Sequence, residues 1–475
     1  MIIALLVIGF LLIIIGVKTI LFKPYPKESY ESSQIDLNEE SIASHLSKMI
    51  QCKTVSSDHF EKIDESSFID FKELLKASYP IVYETCSFEE IKPQGLLYKW
   101  KGKTNQNPIV LMSHFDVVPA DENLWDIPAF SGMIKEGYIW GRGSLDTKGT
   151  LCGIMEAASY LMEKGFVPEN VIYFAFGGDE EVSGPSAPNI VEVLKQKNIK
   201  PAFVLDEGGA IVQNIFPGVA EPVAVVGIGE KGDMDVRLDI TGQGGHSSAP
   251  PAHTLAGELA QAIVNIEKKP FEAYFTLPIL KLIDTLGRHS SFAYRVIFAN
   301  LWLFKPLLKR VFWKMGGEIN AMIRTTTAVT MLSGSPAFNV MPPQVSAGIN
   351  LRLLKENSPD QAVDRLKSVI NNPKIQATVV SSREASPISD IDTVGWDKLK
   401  RAICKTWPDT IVSPYLMLAG SDSRHYCEIS DQVFKFSAMR LTKDELKLIH
   451  GNNERISIDQ LLHIVRFYIE LMLVF

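Results

Sequence analysis

The chain has 475 residues, of which 46% are hydrophobic and 22% charged, and its formal net charge is −7. This length exceeds what one ordinary core holds, so we expect two domains or one large domain with an insertion. The acidic balance without a basic block argues against nucleic acid as a partner. Five scattered cysteines without a CxxC pair argue against a disulfide framework and a cysteine metal site.

The N-terminal segment "MIIALLVIGFLLIIIGV" is uncharged and almost wholly apolar. Counted to Phe22, it is long enough to cross a bilayer core of roughly 30 Å, with Lys18 reaching the interface. It lacks the charged n-region and the cleavage site of a signal peptide. We therefore predict a single-span membrane anchor over residues 1–22 and a polar tether over residues 23–37. The lysines that follow the span are too few to decide which side of the membrane the body faces.

Apolar strands alternate with amphipathic helices between residues 38 and 230. Strands are predicted at residues 95–100, 108–118, 170–178 and 201–209, and helices from about Asn38, at 150–165 and at 187–198. Such alternation predicts an α/β domain. We take residues 38–230 as the first part of that domain.

The pattern changes to half-exposed strands over residues 231–385. Strands are predicted at 234–242, 327–334, 344–354 and 374–381, and helices at 253–268 and 358–370. The order β-α-β-β-α-β is the signature of a small two-layer α+β unit of the ferredoxin-like kind. Because the earlier alternation resumes afterwards, residues 386–475 are predicted to complete the first domain, which makes the α+β unit an insertion.

Residues 270–322, within this insertion, are unusually apolar and aromatic, above all in "FANLWLFKPLLKRVFWKM". Three interpretations are open: core packing, a wall for an apolar acyl group or side chain, and contact with a membrane surface. The interleaved Lys305, Lys309 and Arg310 favour the last of these. We adopt the wall as a working hypothesis.

Four short stretches carry acids or histidine where strands are predicted to end. They are "SHFD" at 113–116, "WGRGSLDTKG" at 140–149, "GGDEEVSG" at 177–184 and "VLDEGG" at 204–209. Ligands gather outside the carboxyl ends of the strands in an open α/β sheet, so we predict that the four stretches converge. Each has an ordinary interpretation alone, such as a packed His–Asp pair, a turn or a solvated acidic loop. Their joint occurrence favours a site.

Acids at this density need a counter-charge, because like charges a few ångströms apart force protonation. One divalent metal ion, or two, would supply it. Histidine and carboxylate without thiolate suit Zn²⁺, with Mn²⁺ or Co²⁺ as substitutes. Paired metals share a bridging carboxylate and activate a water molecule.

Together, these motifs resemble those of the co-catalytic zinc exopeptidases, which include aminoacylase, glutamate carboxypeptidase and the succinyl-diaminopimelate desuccinylases. The resemblance covers about residues 42–470. Within that family, the sequence is most similar to the branch of Gly-X carboxypeptidase (carboxypeptidase S), which also holds the N-fatty-acyl-amino-acid synthase/hydrolase. The resemblance implies a catalytic domain with a mixed central sheet, interrupted by a lid or dimerisation domain.

The resemblance also implies roles for individual residues. The metal ligands, for two zinc ions per subunit, would be His114, Asp146, Glu181, Asp206 and His450, the last in "IHGNNE". Asp146 would bridge the two ions, and Glu207 stays open as the ligand in place of Asp206. Glu180 would be the general base, and Asp116 would orient His114.

Further residues would contact the substrate, again by resemblance. His246 in "GGHSSAPP" would polarise the scissile carbonyl, often from the partner subunit of a homodimer. Asn339 in "FNVMPP" and Arg424 in "GSDSRHY" would bind the substrate, with Arg424 as a fork for its carboxylate. Arg352 has a structural salt bridge as an alternative role.

We therefore expect a membrane-anchored metallohydrolase of carboxypeptidase or aminoacylase type. It would cleave the amide bond of a small peptide or an N-acyl amino acid with a free carboxylate, through a metal-activated water. A serine hydrolase is the first alternative, and the sequence has no GxSxG motif to support it. A catalytically silent metal- or peptide-binding relative at the membrane is the second, and the presence of every ligand and of the base argues against it.

Overall fold

The computed structural model describes residues 1–26, 30–31, 33–57, 63–214 and 216–475. Its helices are α1 Ile2–Leu21, α2 Glu39–Gln51, α3 Glu65–Ser78, α4 Pro80–Thr85, α5 Lys148–Glu163, α6 Ser186–Gln196, α7 Leu255–Lys268, α8 Leu277–His289, α9 Phe292–Ala299, α10 Leu301–Met315, α11 Gly317–Met322, α12 Pro359–Ile370, α13 Val394–Thr406 and α14 Ile458–Val474. Part of the predicted tether, residues 27–29 and 32, lies outside the described residues.

The strands form one large sheet and three smaller ones. They are β1 Ser87–Ile91, β2 Gly95–Trp100, β3 Ile109–His114, β4 Ile134–Lys135, β5 Tyr138–Trp140, β6 Ile172–Gly177, β7 Phe203–Val212, β8 Val223–Glu230, β9 Gly232–Thr241, β10 Gly245–His246, β11 Thr326–Ser333, β12 Val340–Met341, β13 Gln344–Leu353, β14 Ile375–Arg383, β15 Ile411–Met417, β16 Val433–Leu441 and β17 Arg455–Ser457. The large sheet has the order β1-β2-β6-β3-β7-β16-β8-β15. It is mixed, as the resemblance implied, because β6, β3, β7 and β16 are parallel neighbours while β1, β2 and β6 pair antiparallel.

Both faces of the large sheet are buried. On β3, Ile109 and Leu111 join the main apolar core with α5 and α14, whereas Val110 and Met112 join a smaller core with α6. Strands that are covered on both faces read as continuous apolar runs, which is the pattern seen in the sequence. The sheet therefore exposes its strand ends rather than its faces.

A second sheet has the order β11-β13-β9-β14, and all its neighbours are antiparallel. One face packs on α7 and α12 and forms an apolar core of its own. The chain order β9-α7-β11-β13-α12-β14 is the predicted β-α-β-β-α-β order, with each element within two residues of its predicted bounds. The use of this unit as a lid or for dimerisation stays a prediction.

The apolar segment between α7 and β11 forms four helices, α8 to α11, which the sequence did not resolve. Leu282 and Leu286 of α8 pack with Val223 and Val225 of β8 and with Ile411 of β15. Since β15 is the edge strand of the large sheet, this segment covers an edge that would otherwise be open to pairing.

The N-terminal helix α1 is long and apolar enough to cross a membrane, by length and composition, although a signal sequence would pass the same test. Its last turns contact the rest of the protein. Asn300 Nδ2 donates to Thr19 Oγ1 at 3.3 Å, and the Arg288 guanidinium lies 4.5 Å from the centre of the Phe22 ring. The predicted anchor is therefore a helix that is joined to the body by specific contacts.

Candidate metal centre

The candidate centre lies where two neighbouring parallel strands end. His114 is the last residue of β3 and pairs with Gly177, the last residue of β6. A short loop follows β6 and places Glu180 and Glu181 in a 3-10 turn. Because the two strands are parallel and adjacent, this imidazole and both carboxylates reach the same edge of the sheet.

Asp116 connects these two strand ends. Its Oδ1 accepts a hydrogen bond from the Glu180 amide and its Oδ2 accepts one from the Glu181 amide, each at 3.1 Å. Its Oδ1 also lies 3.3 Å from His114 Nδ1. A fully buried carboxylate thus holds the imidazole and the acidic turn in one geometry, as a carboxylate behind a metal-binding histidine does. Alternation along a strand is the wrong reason for this contact, because β3 ends before Asp116.

Asp146 reaches the centre from outside the large sheet. It follows β5, which belongs to a three-stranded sheet of order β17-β5-β4. Arg455 of β17 pairs with Trp140 of β5, so the loop after β5 meets the loop before β17, which carries His450. The prediction that all four stretches follow strands of the central sheet is therefore wrong for this one, although it does converge with the others.

Two groups of donor atoms share Asp146. Its Oδ1 lies 3.0 Å from His114 Nε2, and its Oδ2 lies 3.0 Å from His450 Nε2. His450 Nε2 is also 3.1 Å from Glu181 Oε2, and His114 Nε2 is 3.4 Å from Glu207 Oε1. Each histidine thus has its own carboxylate and one oxygen of the shared one, the pattern that a bridging ligand between two metal ions requires.

The structure corrects the preference for Asp206 over Glu207. Asp206 shares a strand face with Val204 and accepts a hydrogen bond from the Ser423 amide at 2.9 Å, away from the histidines. Beyond it the pairing of β7 with β16 is irregular, and Gly208 has a φ of +145°. Glu207 at this irregular point directs its carboxylate to His114 instead.

Burial and crowding shift the protonation of the whole group. Burial raises the pKa of Glu180 to about 8. Hydrogen bonds to Asp146 and Glu181 raise the pKa of His450 to about 10. Burial alone would raise the pKa of Asp146, but hydrogen bonds from the two histidines lower it below its ordinary value. Without a cation, protons must therefore supply the positive charge that these carboxylates need.

The donor set fits a divalent metal. Glu181 Oε1 is buried and has no hydrogen-bond partner among the residues that the structure describes. Atoms of His114, Asp146 and Glu181, and of His114, Glu180 and Glu207, lie within 4.8 Å of one another in each group. Imidazole nitrogens with carboxylate oxygens are the ligands that zinc and related ions take in proteins.

A cavity of about 440 Å³ opens beside these groups. Asp146, Glu180 and Glu207 line one part of it. Most of its other walls are apolar; they include Val212, Phe216, Val225, Tyr415, Met417, Met439, Leu446 and Ile449. A few polar groups in a mostly apolar cleft are typical of a site for a small ligand.

The predicted substrate-binding residues lie in different places. A Cβ added to Gly420, in the cavity wall, would lie 2.8 Å from Arg424 Nη1, so this guanidinium is next to the cavity. Arg352 Nε lies 3.4 Å from Asp233 Oδ1 within the second sheet, which fits the salt-bridge alternative.

His246 and Asn339 are exposed and adjacent in the second unit. The Ser247 amide donates to Asn339 O at 3.2 Å, and β10 pairs with β12 around them. Within the described ranges, neither residue has a hydrogen bond or ion pair with the metal centre of the same chain. The structure therefore brings the two together but does not place them at the cluster.

Sequence reasoning missed an ion pair that holds the two loops together. Buried Arg142 donates from Nη1 to Glu454 Oε2 at 2.7 Å and from Nη2 to His450 O at 3.2 Å. The other oxygen of Glu454 accepts from the amides of Leu145 and Asp146, at 2.8 and 3.3 Å. The signal was present, since Arg142 lies in "GRGSLD" and Glu454 ends "HGNNE".

The two neighbouring acids of β7 give a test of the metal ligands. Glu207→Gln is expected to lower the bound divalent metal from two ions to about one per chain, because one histidine loses its own carboxylate. The matched Asp206→Asn variant is expected to keep both ions in its folded fraction. Metal analysis of the purified full chain decides the matter, and the reverse pattern would restore Asp206 as the ligand.

Comparisons with known proteins agree with this geometry. The sequence model of the family described as Peptidase family M20/M25/M40 matches residues 110–474. The chain is 37% identical to "Probable carboxypeptidase S-like 2" of Dictyostelium discoideum, over 98% of this chain and 92% of that protein. It is 34% identical to "N-fatty-acyl-amino acid synthase/hydrolase PM20D1" of Xenopus tropicalis, over 94% and 88%. An M20 family metallo-carboxypeptidase from Sulfolobus solfataricus shares the fold, with a TM-score of 0.67 and 18% identity over 91% of this chain and 99% of that one.

Proposed function

Because the chain belongs to peptidase family M20/M25/M40, we propose that this metal-dependent hydrolase cleaves the amide bond of small peptides or N-acyl amino acids that carry a free carboxylate. The observation that carries the proposal is Asp146, which offers one oxygen to each of two histidines. Relatives named as carboxypeptidase S-like and as N-fatty-acyl-amino acid synthase/hydrolase support the substrate class.

The residues present would hold two zinc ions. His114, Glu207 and one oxygen of Asp146 form the first set, and His450, Glu181 and the other oxygen form the second. When bound, such ions act as Lewis acids that polarise the scissile carbonyl and acidify a water molecule. Mn²⁺ or Co²⁺ suits the same nitrogen and oxygen donors.

Glu180 is the group that moves the proton. Its carboxylate lines the cavity beside Asp146 and Glu207, and Asp116 fixes its backbone amide. Burial raises its pKa to about 8, so it is basic enough to take a proton from the attacking water and acidic enough to give it to the leaving amine nitrogen. Asp116 acts through His114 and the acidic turn, and is a positioning residue.

Arg424 supplies the positive charge for the free carboxylate of the substrate, since its guanidinium borders the cavity. His246 and Asn339 complete the site from the second unit of a partner subunit, with residues 231–385 as lid and dimerisation domain. Their exposure and their adjacency support this assignment. Arg352 has only its ion pair with Asp233 in its favour, and we assign it no substrate contact.

The N-terminal helix is an anchor in this proposal rather than a cleaved signal. Its contacts with Asn300 and Arg288 support retention, because cleavage would leave both of those body residues without these partners. The protein is then a single-pass membrane enzyme, and its orientation in the membrane is open.

The test is a substrate competition with the full chain in mild detergent, loaded with zinc. One equimolar pool contains dipeptides together with medium- and long-chain N-acyl amino acids, and mass spectrometry follows the loss of each. We expect amide hydrolysis of carboxylate-bearing members, with the methyl esters of the same compounds as uncleaved matched controls. Equal cleavage of the esters would remove Arg424 from the proposal, and no cleavage of any member would reject the proposed function.

A further inference from the structure

A stripe of exposed apolar side chains runs along α10. Leu303, Leu307, Val311 and Met315 follow one another at intervals of four residues, and each is 39–58% exposed. Residues four apart lie on one face of a helix, so they form a single continuous ridge. Trp302 and Trp313 are exposed beside it, at 49% and 48%. A folded water-soluble surface rarely leaves such a ridge uncovered.

The position of this ridge is set by α1. Asn300, which immediately precedes α10, contacts Thr19 Oγ1 and Ile15 O, and Lys18 Nζ lies 5.7 Å from the centre of the Trp302 ring. The 20 residues of α1 rise about 30 Å, which matches a hydrocarbon core of roughly 30 Å. Ile15 is then about 9 Å below the end of the span at Leu21. The start of α10 is thereby held at the depth where interfacial helices lie, about 5–10 Å into the boundary.

The charge of the helix suits an anionic surface. Arg310 and Lys314 are exposed between the apolar residues of α10. No acidic residue occurs in this helix, whose sequence is LWLFKPLLKRVFWKM. Basic residues that flank an apolar ridge with tryptophans are typical of helices that lie in the plane of a membrane surface.

The same ridge borders a second cavity. A space of about 320 Å³, lined almost wholly by apolar side chains, lies under α8 to α11, and Leu307, Val311 and Met315 belong to its lining. Phe216 lines this cavity and also the cavity at the metal centre. The mouth of the apolar cavity therefore lies on the ridge, and one aromatic side chain separates its inner end from the catalytic groups.

We propose that α10 docks on the lipid surface beside the anchor helix, so that the apolar cavity opens into the membrane and admits an apolar chain from it. The docking of α10 rests on the anchor in the proposed function, but not on the hydrolytic reaction. The occupant of the ridge is the bilayer interface, because α1 passes through that interface in direct contact with the start of α10.

Tryptophan fluorescence tests the docking directly. Of the seven tryptophans, Trp302 and Trp313 are exposed, the other five are buried or half-buried, and none lies in α1. The full chain is reconstituted in phosphatidylcholine–phosphatidylserine vesicles whose acyl chains are brominated near the headgroup. We expect these lipids to quench a substantial fraction of the emission, and we expect the quenching to disappear in the Trp302→Phe/Trp313→Phe variant.

Two matched variants sharpen the result. In that double-variant background, Phe338→Trp adds a fully exposed tryptophan in the second unit and should not restore quenching. Arg310→Glu/Lys314→Glu should reduce quenching by about twofold or more in anionic vesicles, because like charges then face the lipid. Unquenched emission from the unaltered chain, or equal quenching at position 338, would overturn the proposal.

Separate readouts keep the failures distinct. Flotation of the full chain with vesicles after alkaline carbonate washing reports the anchor alone, and hydrolysis of a short dipeptide in detergent reports the catalytic centre alone. A chain that floats but shows no quenching defeats the docking of α10 and leaves the proposed reaction intact. A chain that does not float defeats the anchor and the docking together.

Discussion

Replacing Glu180 by glutamine is expected to lower kcat by about 10²- to 10⁴-fold, the usual contribution of a general base. Glutamine keeps the shape of the side chain and still allows the Glu180 backbone amide to donate to Asp116, but its amide cannot take up a proton. The bound metal and the unfolding transition should be unchanged. Initial rates on the preferred substrate, with metal analysis of the same preparation, provide the measurement.

A neighbouring acid provides the control. Asp179 accepts its hydrogen bonds from the Ser186 amide and lies outside the donor groups, so Asp179→Asn should keep activity within a few-fold. Near-normal turnover in Glu180→Gln would reject the assigned base. Loss of one metal ion in that variant would instead make Glu180 a ligand, a reading that its closeness to His114 and Glu207 makes testable.

The Arg142–Glu454 pair is expected to dominate the stability of the loops at the metal centre. Arg142→Met leaves the Glu454 carboxylate buried without its guanidinium, and breaking such a pair costs about 3–5 kcal/mol. The exposed pair of Arg440 with Asp409 is the matched control, and removing an exposed pair costs about 0–1 kcal/mol. Urea unfolding of the full chain in detergent compares the two variants.

The Arg142 variant should also bind metal more weakly, because Arg142 holds the His450 carbonyl as well as Glu454. The expected sign is a loss at one of the two ions, since the ligands on β3 and β7 are supported independently. Equal unfolding midpoints for Arg142→Met and Arg440→Met would show that the buried pair does not stabilise these loops.

Local patterns predicted most of the catalytic fold because short-range periodicity and motif chemistry agree there. His114, Asp146, Glu181 and His450 are brought together as expected, since each lies in a motif whose residue types have a clear chemical use. The choice between Asp206 and Glu207 was beyond this reasoning. It depends on an irregular pairing of β7 with β16, and a single strand carries no sign of how its neighbour pairs.

The helical segment α8 to α11 was beyond it for a different reason. Its apolar residues face the large sheet, an internal cavity and a solvent-exposed ridge at once, so no single period identifies a buried face. The central strands β8, β15 and β16 also escaped prediction. Their positions depend on contacts between distant parts of the chain rather than on local sequence.

The pairing of β5 with β17 has a consequence for biosynthesis. It joins Trp140 to Arg455, so the catalytic apparatus cannot be assembled until nearly the whole polypeptide has left the ribosome. Until then, the acidic loops of the N-terminal half carry unbalanced charge, and the cell holds a nascent chain that is synthesised but unable to cleave anything. Domains form as units during translation, so activity should arise late and in one step rather than in parallel with chain growth.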